Sequence, residues 1–222
     1  MSVRLRLVNP NTTASMTVKA LAAARAAAPS GVVVEAVTSR RGPAAIQGEA
    51  DGAAALPGLL DEVDRAVADG VDAVAIACFD DTGIVEARAL AAGALPVIGL
   101  CQAACLECLA RGHRFSIVTT LAVSVPVIEA NLAHAGLAAG CVRVRASGVP
   151  VLALEAPGGE AAERVAEEIA RALDEDGASA IVLGCAGMAD LARDLGRRFG
   201  VPVVEGAAAA ARLAPFVARQ GG

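Results

Sequence analysis

Two cysteines occupy equivalent positions in a sequence pattern that occurs twice in this chain. Cys78 lies eight residues after Gly70, and Cys185 lies eight residues after Gly177. In each copy an apolar run precedes the cysteine, which predicts a buried parallel strand that carries a polar residue to a cleft. If the two copies face each other, one thiol can remove a proton from a bound carbon while the other returns a proton on the opposite face. The spacing therefore predicts a site that inverts a carbon centre.

The residues after each cysteine suggest how the thiols are activated. Residues 79–83 and 186–190 are expected to start helices, whose free backbone amides stabilise a thiolate and lower its pKa. The same amides can stabilise the oxygen of an enolate. A single cysteine at a strand end is more often a small core residue, so the duplication is the feature that favours catalysis.

Polar residues that follow other predicted strands are candidates for binding a substrate. Asn11 is expected to bind an amide group, whereas Asn9 and Thr12 are expected to form a turn and a helix cap. Thr119 and Thr120 follow the equivalent strand of the second copy, and Thr119 is slightly preferred for the pocket.

The residues next to the two thiols are further candidates for the pocket. Phe79 either walls the pocket or packs in the core, and Asp80 either orients its loop or caps the next helix. Ala186 and Gly187 follow the second thiol, and a glycine there lets a ring approach the backbone closely. All four are included as candidate binding residues.

Eight short apolar segments alternate with helical ones along the chain, which is typical of parallel α/β architecture. The duplication predicts two pseudo-symmetric lobes, each a mainly parallel sheet flanked by helices, with the active site in the cleft between them. Residues 1–98 and 205–222 are predicted to form lobe one with Cys78, and residues 99–204 to form lobe two with Cys185. The strands are predicted at 3–8, 32–38, 73–77, 97–100, 115–118, 142–146, 180–183 and 203–204.

Three further cysteines form the pattern Cys-x3-Cys-x2-Cys, at Cys101, Cys105 and Cys108. This spacing can hold an iron–sulfur cluster when a loop lets three thiolates converge. The segment is predicted to be a helix, where the three side chains share one face. A packing role is therefore expected, and no metal site is predicted.

Composition limits the class of protein. More than half of the 222 residues are hydrophobic, only 2% are aromatic, and the net charge is −5 without a basic stripe. These features argue against nucleic-acid binding. No apolar run reaches the roughly 18 residues that span a bilayer, and the first residues are strand-like rather than a signal peptide. We expect a cytoplasmic protein with reduced thiols, a small-molecule substrate and a homo-oligomeric assembly.

Four segments in order carry a resemblance to a known family. They are residues 7–13, 76–83, 114–120 and 181–190. Together they resemble the hydantoin/allantoin racemase branch of the Asp/Glu racemase superfamily, and the similarity spans nearly the whole chain. The resemblance implies a racemase that needs no cofactor, with one catalytic cysteine from each lobe, which are Cys78 and Cys185 here. It also implies that the last helix returns to pack on lobe one.

The sequence differs from the amino-acid branch of that superfamily. Aspartate and glutamate racemases have small hydroxyl or amide residues after their cysteines, whereas Phe79 and Ala186 stand there in this chain. The expected substrate is therefore a 5-substituted hydantoin or allantoin. Three alternatives stay open: an arylmalonate-type decarboxylase, a maleate-isomerase-like enzyme and a non-catalytic small-molecule binding protein.

Overall fold

A computed structural model describes residues 2–156 and 159–220, and in it eight strands alternate with eight α-helices. The strands are β1 Val3–Asn9, β2 Val32–Thr38, β3 Ala73–Ile76, β4 Val97–Gly99, β5 Phe115–Thr119, β6 Cys141–Ala146, β7 Ala180–Gly184 and β8 Val203–Glu205. The helices are α1 Ala14–Ala27, α2 Glu49–Ala68, α3 Ile84–Leu90, α4 Leu100–Ala110, α5 Val125–His134, α6 Glu160–Glu175, α7 Ala192–Phe199 and α8 Gly206–Val217. Every strand lies where the sequence predicts it, with its ends within one residue.

The strands form two four-stranded sheets with the same order. One sheet is ordered β2-β1-β3-β4 and the other β6-β5-β7-β8, and all neighbouring strands are parallel. The predicted α/β class with two pseudo-symmetric sheets is confirmed. β3 and β7 are inner strands whose residues are all buried, which explains their unbroken apolar sequence.

The duplicated glycines have a structural reason. Gly70 has φ 63° and Gly177 has φ 65°, and each follows directly after an aspartate that ends α2 or α6. This left-handed conformation is a common way to end a helix and favours glycine. Both copies of the pattern therefore begin at a helix end and turn into the inner strand that leads to the cysteine.

One hydrophobic core joins the two sheets. It contains inward side chains of both sheets, such as Leu7 of β1 and Ile117 of β5, together with residues of α4 and α8. Two smaller cores fill the outer faces, one beneath α2 and α3 and one beneath α6 and α7. The site residues at the strand ends are thus carried by one packed layer that both sheets share.

The last helix packs across this layer. α8 contacts α1 and α4, and a Cβ at Gly206 would lie 2.4 Å from Leu100 Cβ. Alanines fill most of its buried face, so the helices approach closely. The return of the last helix to lobe one, which the resemblance implies, stays a prediction, because α8 contacts one helix from each half of the chain. The lobe boundaries at 98 and 205 stay predictions, and Gly221 and Gly222 lie outside the described residues.

Among the described residues, no helix combines the length and the apolar character that crossing a membrane requires.

Candidate active site

The carboxyl ends of the inner strands from both sheets meet at one cavity. Its volume is about 30 Å³. The first half of the chain contributes Asn11, Met16, Ile46, Ala77, Cys78, Phe79 and Asp80. The second half contributes Thr120, Ser124, Val151, Gly184, Cys185, Ala186 and Gly187. The two thiols therefore enter a single cavity from opposite lobes.

Cys78 follows β3 and is held in a short loop before α3. The Thr82 hydroxyl donates a hydrogen bond of 3.3 Å to Cys78 Sγ. Burial raises the pKa of the Cys78 thiol well above its usual range, and the nearby Asp80 carboxylate raises this pKa further. The Thr82 hydroxyl acts in the opposite direction, because it favours the thiolate.

Cys185 follows β7 and begins a 3₁₀ helix at Ala186–Leu191. Burial raises the pKa of the Cys185 thiol to about 12, while the backbone amide of Gly187 favours the thiolate and Asp80 opposes it. All six cysteines are free thiols. Asp80 thus acts on both cysteines of the cavity.

The predicted lowering of the thiol pKa is wrong. After Cys78 the α-helix begins only at Ile84, behind Gly83 in a left-handed conformation. After Cys185 a 3₁₀ helix begins at once, as the sequence suggests, but an α-helix follows only at Ala192. The few amides that reach each sulfur do not offset the loss of solvent, since desolvation alone can shift a pKa by several units.

Asp80 connects the two lobes. The Ser124 hydroxyl donates a hydrogen bond of 3.1 Å to Asp80 Oδ2, and Asn131 Nδ2 donates one of 2.6 Å to the Asp80 carbonyl oxygen. Burial raises the pKa of this carboxyl to about 6, although the Ser124 hydrogen bond lowers it. Asp80 therefore orients the Cys78 loop against lobe two, which is one of the two roles predicted for it.

The neighbouring Asp81 caps a helix, but not the one that follows it. Its carboxylate accepts hydrogen bonds from the amides of Cys101 at 2.9 Å and Gln102 at 3.1 Å, in the first turn of α4. Asp81 has a left-handed backbone conformation, with φ 45°. Burial raises its pKa to about 7. In the second half of the chain the equivalent helix, α8, is capped instead by Glu205, at the end of β8.

Asn11 lies at the cavity, as predicted. Its Oδ1 accepts a hydrogen bond of 3.0 Å from Asn9 Nδ2 and one of 2.9 Å from the Thr13 amide. Asn9 also donates to the Thr17 hydroxyl at 2.9 Å. Asn9 is therefore a structural residue of the turn after β1, and it orients the amide of Asn11 toward the cavity.

The preference for Thr119 over Thr120 is not supported by the structure. The Thr119 side chain is fully buried, and its hydroxyl donates a hydrogen bond of 2.8 Å to the Gly184 carbonyl oxygen on β7. Adjacent residues of an extended chain point to opposite sides. Thr119 therefore joins the two inner strands, and Thr120 lines the cavity.

The other candidates surround the thiols. Phe79 fulfils both of its alternatives, because it belongs to the central core and also lines the cavity. Ala186 and Gly187 line it on the opposite side. A Cβ at Gly187 would meet Leu154 Cδ1 at 3.3 Å and Cys185 Sγ at 3.6 Å, so a larger residue there would crowd the second thiol.

Sequence reasoning did not place five of the lining residues at the cavity, namely Met16, Ile46, Ala77, Ser124 and Val151. Ile46 lies in the loop after β2, and Val151 begins a 3₁₀ helix in the connection after β6; no periodic pattern marks either residue. The Gln47 side chain accepts a hydrogen bond of 3.0 Å from the Val151 amide, which joins these loops across the cavity. A volume of about 30 Å³ holds only a few waters.

The three clustered cysteines lie on α4. Cys101, Cys105 and Cys108 are buried in the central core, as the packing interpretation predicts. Within residues 2–156 and 159–220, no group of three or more His, Cys, Asp or Glu residues is arranged to hold a metal ion.

Comparison with known proteins places this chain in a family. A family model described as Asp/Glu/Hydantoin racemase matches residues 5–214. The hydantoin racemase of Rhizobium meliloti is 46% identical over 212 residues, covering 96% of this chain and 87% of that protein. The allantoin racemase from Klebsiella pneumoniae has a TM-score of 0.91 at 41% identity, covering 99% of this chain and 89% of that one.

The allantoin racemase from Pseudomonas fluorescens also has a TM-score of 0.91, at 38% identity over 99% of this chain and 92% of that one. The fold and the site together define the class of protein, which is a two-lobed α/β enzyme with a cleft between its sheets. The chain belongs to the Asp/Glu/hydantoin racemase family, and it is an isomerase of the racemase type.

Proposed function

We propose that this enzyme racemises a 5-substituted hydantoin or allantoin by a two-thiol mechanism that needs no cofactor. The observation that carries the proposal is the position of Cys78 and Cys185, which follow the equivalent inner strands of the two sheets and line one cavity. Known hydantoin and allantoin racemases that resemble the chain along nearly its whole length support the substrate class.

In the proposed reaction one cysteine acts as a thiolate and the other as a thiol. The thiolate takes the proton from the ring carbon that bears the substituent, and the C–H electron pair moves into the adjacent carbonyl to give an enolate. The opposite thiol then protonates this carbon on its other face. The two sulfurs have exchanged protonation states, and a proton exchange through solvent resets the enzyme.

The charges around the cavity favour a neutral substrate. Asp80 is the one charged residue among those that line it in the described parts of the chain. The carboxylate of a free amino acid would be buried beside Asp80 with no cation among the lining residues to pair with it, which costs several kcal/mol. Asn11, Thr120 and Ser124 instead offer ordinary hydrogen bonds to ring amides.

Substitution of single cysteines tests the mechanism. Cys78→Ser and Cys185→Ser should each lower racemisation by several orders of magnitude, since a serine hydroxyl is a far weaker base. Each variant should still exchange the ring proton of one enantiomer for deuterium, and the two variants should exchange opposite enantiomers. Cys141→Ser is the matched control, because Cys141 is a free thiol at the start of β6 outside the cavity.

The outcome distinguishes the proposal from one-thiol chemistry. Near-normal racemisation in either cavity variant would contradict the two-thiol mechanism. Turnover of an arylmalonate that survives Cys78→Ser would favour the decarboxylase alternative.

The substrate class is tested separately. Values of kcat/KM for 5-substituted hydantoins and allantoin should exceed those for aspartate, glutamate and alanine under one set of conditions. Faster racemisation of any amino acid would refute the ring substrate and leave the two-thiol mechanism intact.

A further inference from the structure

One cation joins the two lobes beside Cys185. Lys19 lies on α1 and is the single lysine of the 222-residue sequence. Its Nζ donates a hydrogen bond of 2.9 Å to the Leu154 carbonyl oxygen. The same Nζ lies 3.0 Å from Glu155 Oε1 and 3.5 Å from Asp190 Oδ2. All three partners belong to the second half of the chain, although Lys19 belongs to the first.

These partners flank the second thiol. Leu154 and Glu155 are the end of the 3₁₀ helix Val151–Glu155, which begins with a lining residue of the cavity. Asp190 lies in the 3₁₀ helix that starts directly after Cys185. Gly187 packs against the first of these segments: a Cβ added to it would lie 3.3 Å from Leu154 Cδ1 and 3.6 Å from Cys185 Sγ. Lys19 therefore ties together the two segments that enclose this sulfur.

Lys19 also changes the balance of charge around Cys185. Asp80 comes from the Cys78 loop and Glu155 from the preceding 3₁₀ helix, and both carboxylates disfavour a thiolate at Cys185. Lys19 opposes them, and it pairs with Glu155 directly. Cys78 is in a different environment, since its neighbours are Asp80, Cys185 and the Thr82 hydroxyl. An effect of Lys19 should therefore fall on one thiol only.

We propose that Lys19 is a positioning residue for the Cys185 half of the reaction. It neutralises Glu155 and holds residues 151–155 against residues 186–191, so that Cys185 can serve as a base. The inference rests on the proposed two-thiol function, because it assigns Lys19 to one of the two proton transfers.

The test requires enzymes that retain a single cavity thiol. In the complete enzyme kcat/KM must change equally in both directions, because the two enantiomers have equal free energy. Proton exchange without inversion is free of this constraint. Lys19→Met is therefore combined with Cys78→Ser, which leaves Cys185 as the base, and with Cys185→Ser, which leaves Cys78. The readout is deuterium incorporation into the reactive pure enantiomer of a 5-substituted hydantoin.

Lys19→Met should lower exchange about tenfold in the Cys78→Ser background and less than about twofold in the Cys185→Ser background. A tenfold loss corresponds to a shift of about one pH unit in the rate profile, toward alkaline pH, for Cys185 alone. Lys19→Arg retains the charge and should retain most of the exchange. Lys19→Gln serves as a second neutral variant if the methionine variant does not fold.

Each outcome has a distinct meaning. Equal losses in both backgrounds, or an unchanged pH profile with Cys185, would overturn the role of Lys19 and leave the two-thiol mechanism standing. An absence of exchange in both single-thiol enzymes before Lys19 is changed would instead refute the proposed function.

Discussion

The rate of racemisation should rise steeply with pH across the neutral range. Burial raises the pKa of Cys185 to about 12 and raises that of Cys78 as well. With a pKa near 12, only about 3 in 10,000 Cys185 side chains are thiolates at about pH 8.5, and about 100-fold fewer at about pH 6.5. Because the opposite cysteine stays protonated throughout, the active form with one thiolate increases about tenfold per pH unit.

The measurement is kcat/KM for a pure enantiomer of a 5-substituted hydantoin, followed by polarimetry between about pH 6.5 and about pH 8.5. A reaction without enzyme is subtracted, because base alone racemises such rings. Asp80→Asn removes the carboxylate that opposes both thiolates, so the whole profile should move to lower pH. A plateau of the wild-type rate below about pH 8 would refute the reasoning, because it would require a thiol with a lowered pKa.

Three further changes test single contacts. Thr82→Val removes the hydroxyl that donates to Cys78 Sγ. It should lower deuterium exchange about fivefold in the enzyme that retains only Cys78 as a base. A similar loss in the enzyme that retains only Cys185 would contradict a specific effect on Cys78. Burial raises the pKa of the Glu205 carboxyl from 4.5 to about 7 in the folded protein. The stability that this carboxyl contributes is therefore fully present below its pKa in the unfolded chain. It is lost as the pH rises through about 7, by on the order of 3 kcal/mol. The free energy of unfolding, measured with urea, should differ less between about pH 5 and about pH 8 in Glu205→Gln than in the wild type. An unchanged difference would show that Glu205 is not the group that titrates. Gly206→Ala should cost about 1–3 kcal/mol because its Cβ meets Leu100, whereas Gly196→Ala, whose Cβ has 3.5 Å to its nearest neighbour, should be neutral or slightly stabilising in thermal unfolding.

The strands and their duplication could be predicted because they depend on local sequence. Unbroken apolar runs that end at a cysteine identify β3 and β7, and the aspartate–glycine pairs identify the helix ends before them. The same reasoning located Asn11, Phe79, Asp80 and Gly187 at the cavity, since each lies within a few residues of a strand end.

The remaining features depend on contacts between distant segments. The pKa of each thiol is set by how completely the two lobes enclose it, and this cannot be inferred from the residues next to Cys78 or Cys185. Ile46 and Val151 reach the cavity because their loops meet across it, which no local pattern indicates. Thr119 and Thr120 differ only in the side of the chain on which they lie, so a shift of one residue reverses the assignment.

The different caps of α4 and α8 restrict how the two halves of this protein can be recombined. In the first half the capping carboxylate belongs to Asp81, three residues after the thiol, and a Cβ at Gly99 would lie 2.1 Å from that carboxylate. In the second half the carboxylate belongs to Glu205, at the position equivalent to Gly99. A graft that moved only the cysteine loop from one half to the other would leave one helix with two competing carboxylates or with none. The loop after each cysteine and the end of the next strand therefore form a single exchangeable unit, which must be transferred whole when one lobe is redesigned on the pattern of the other.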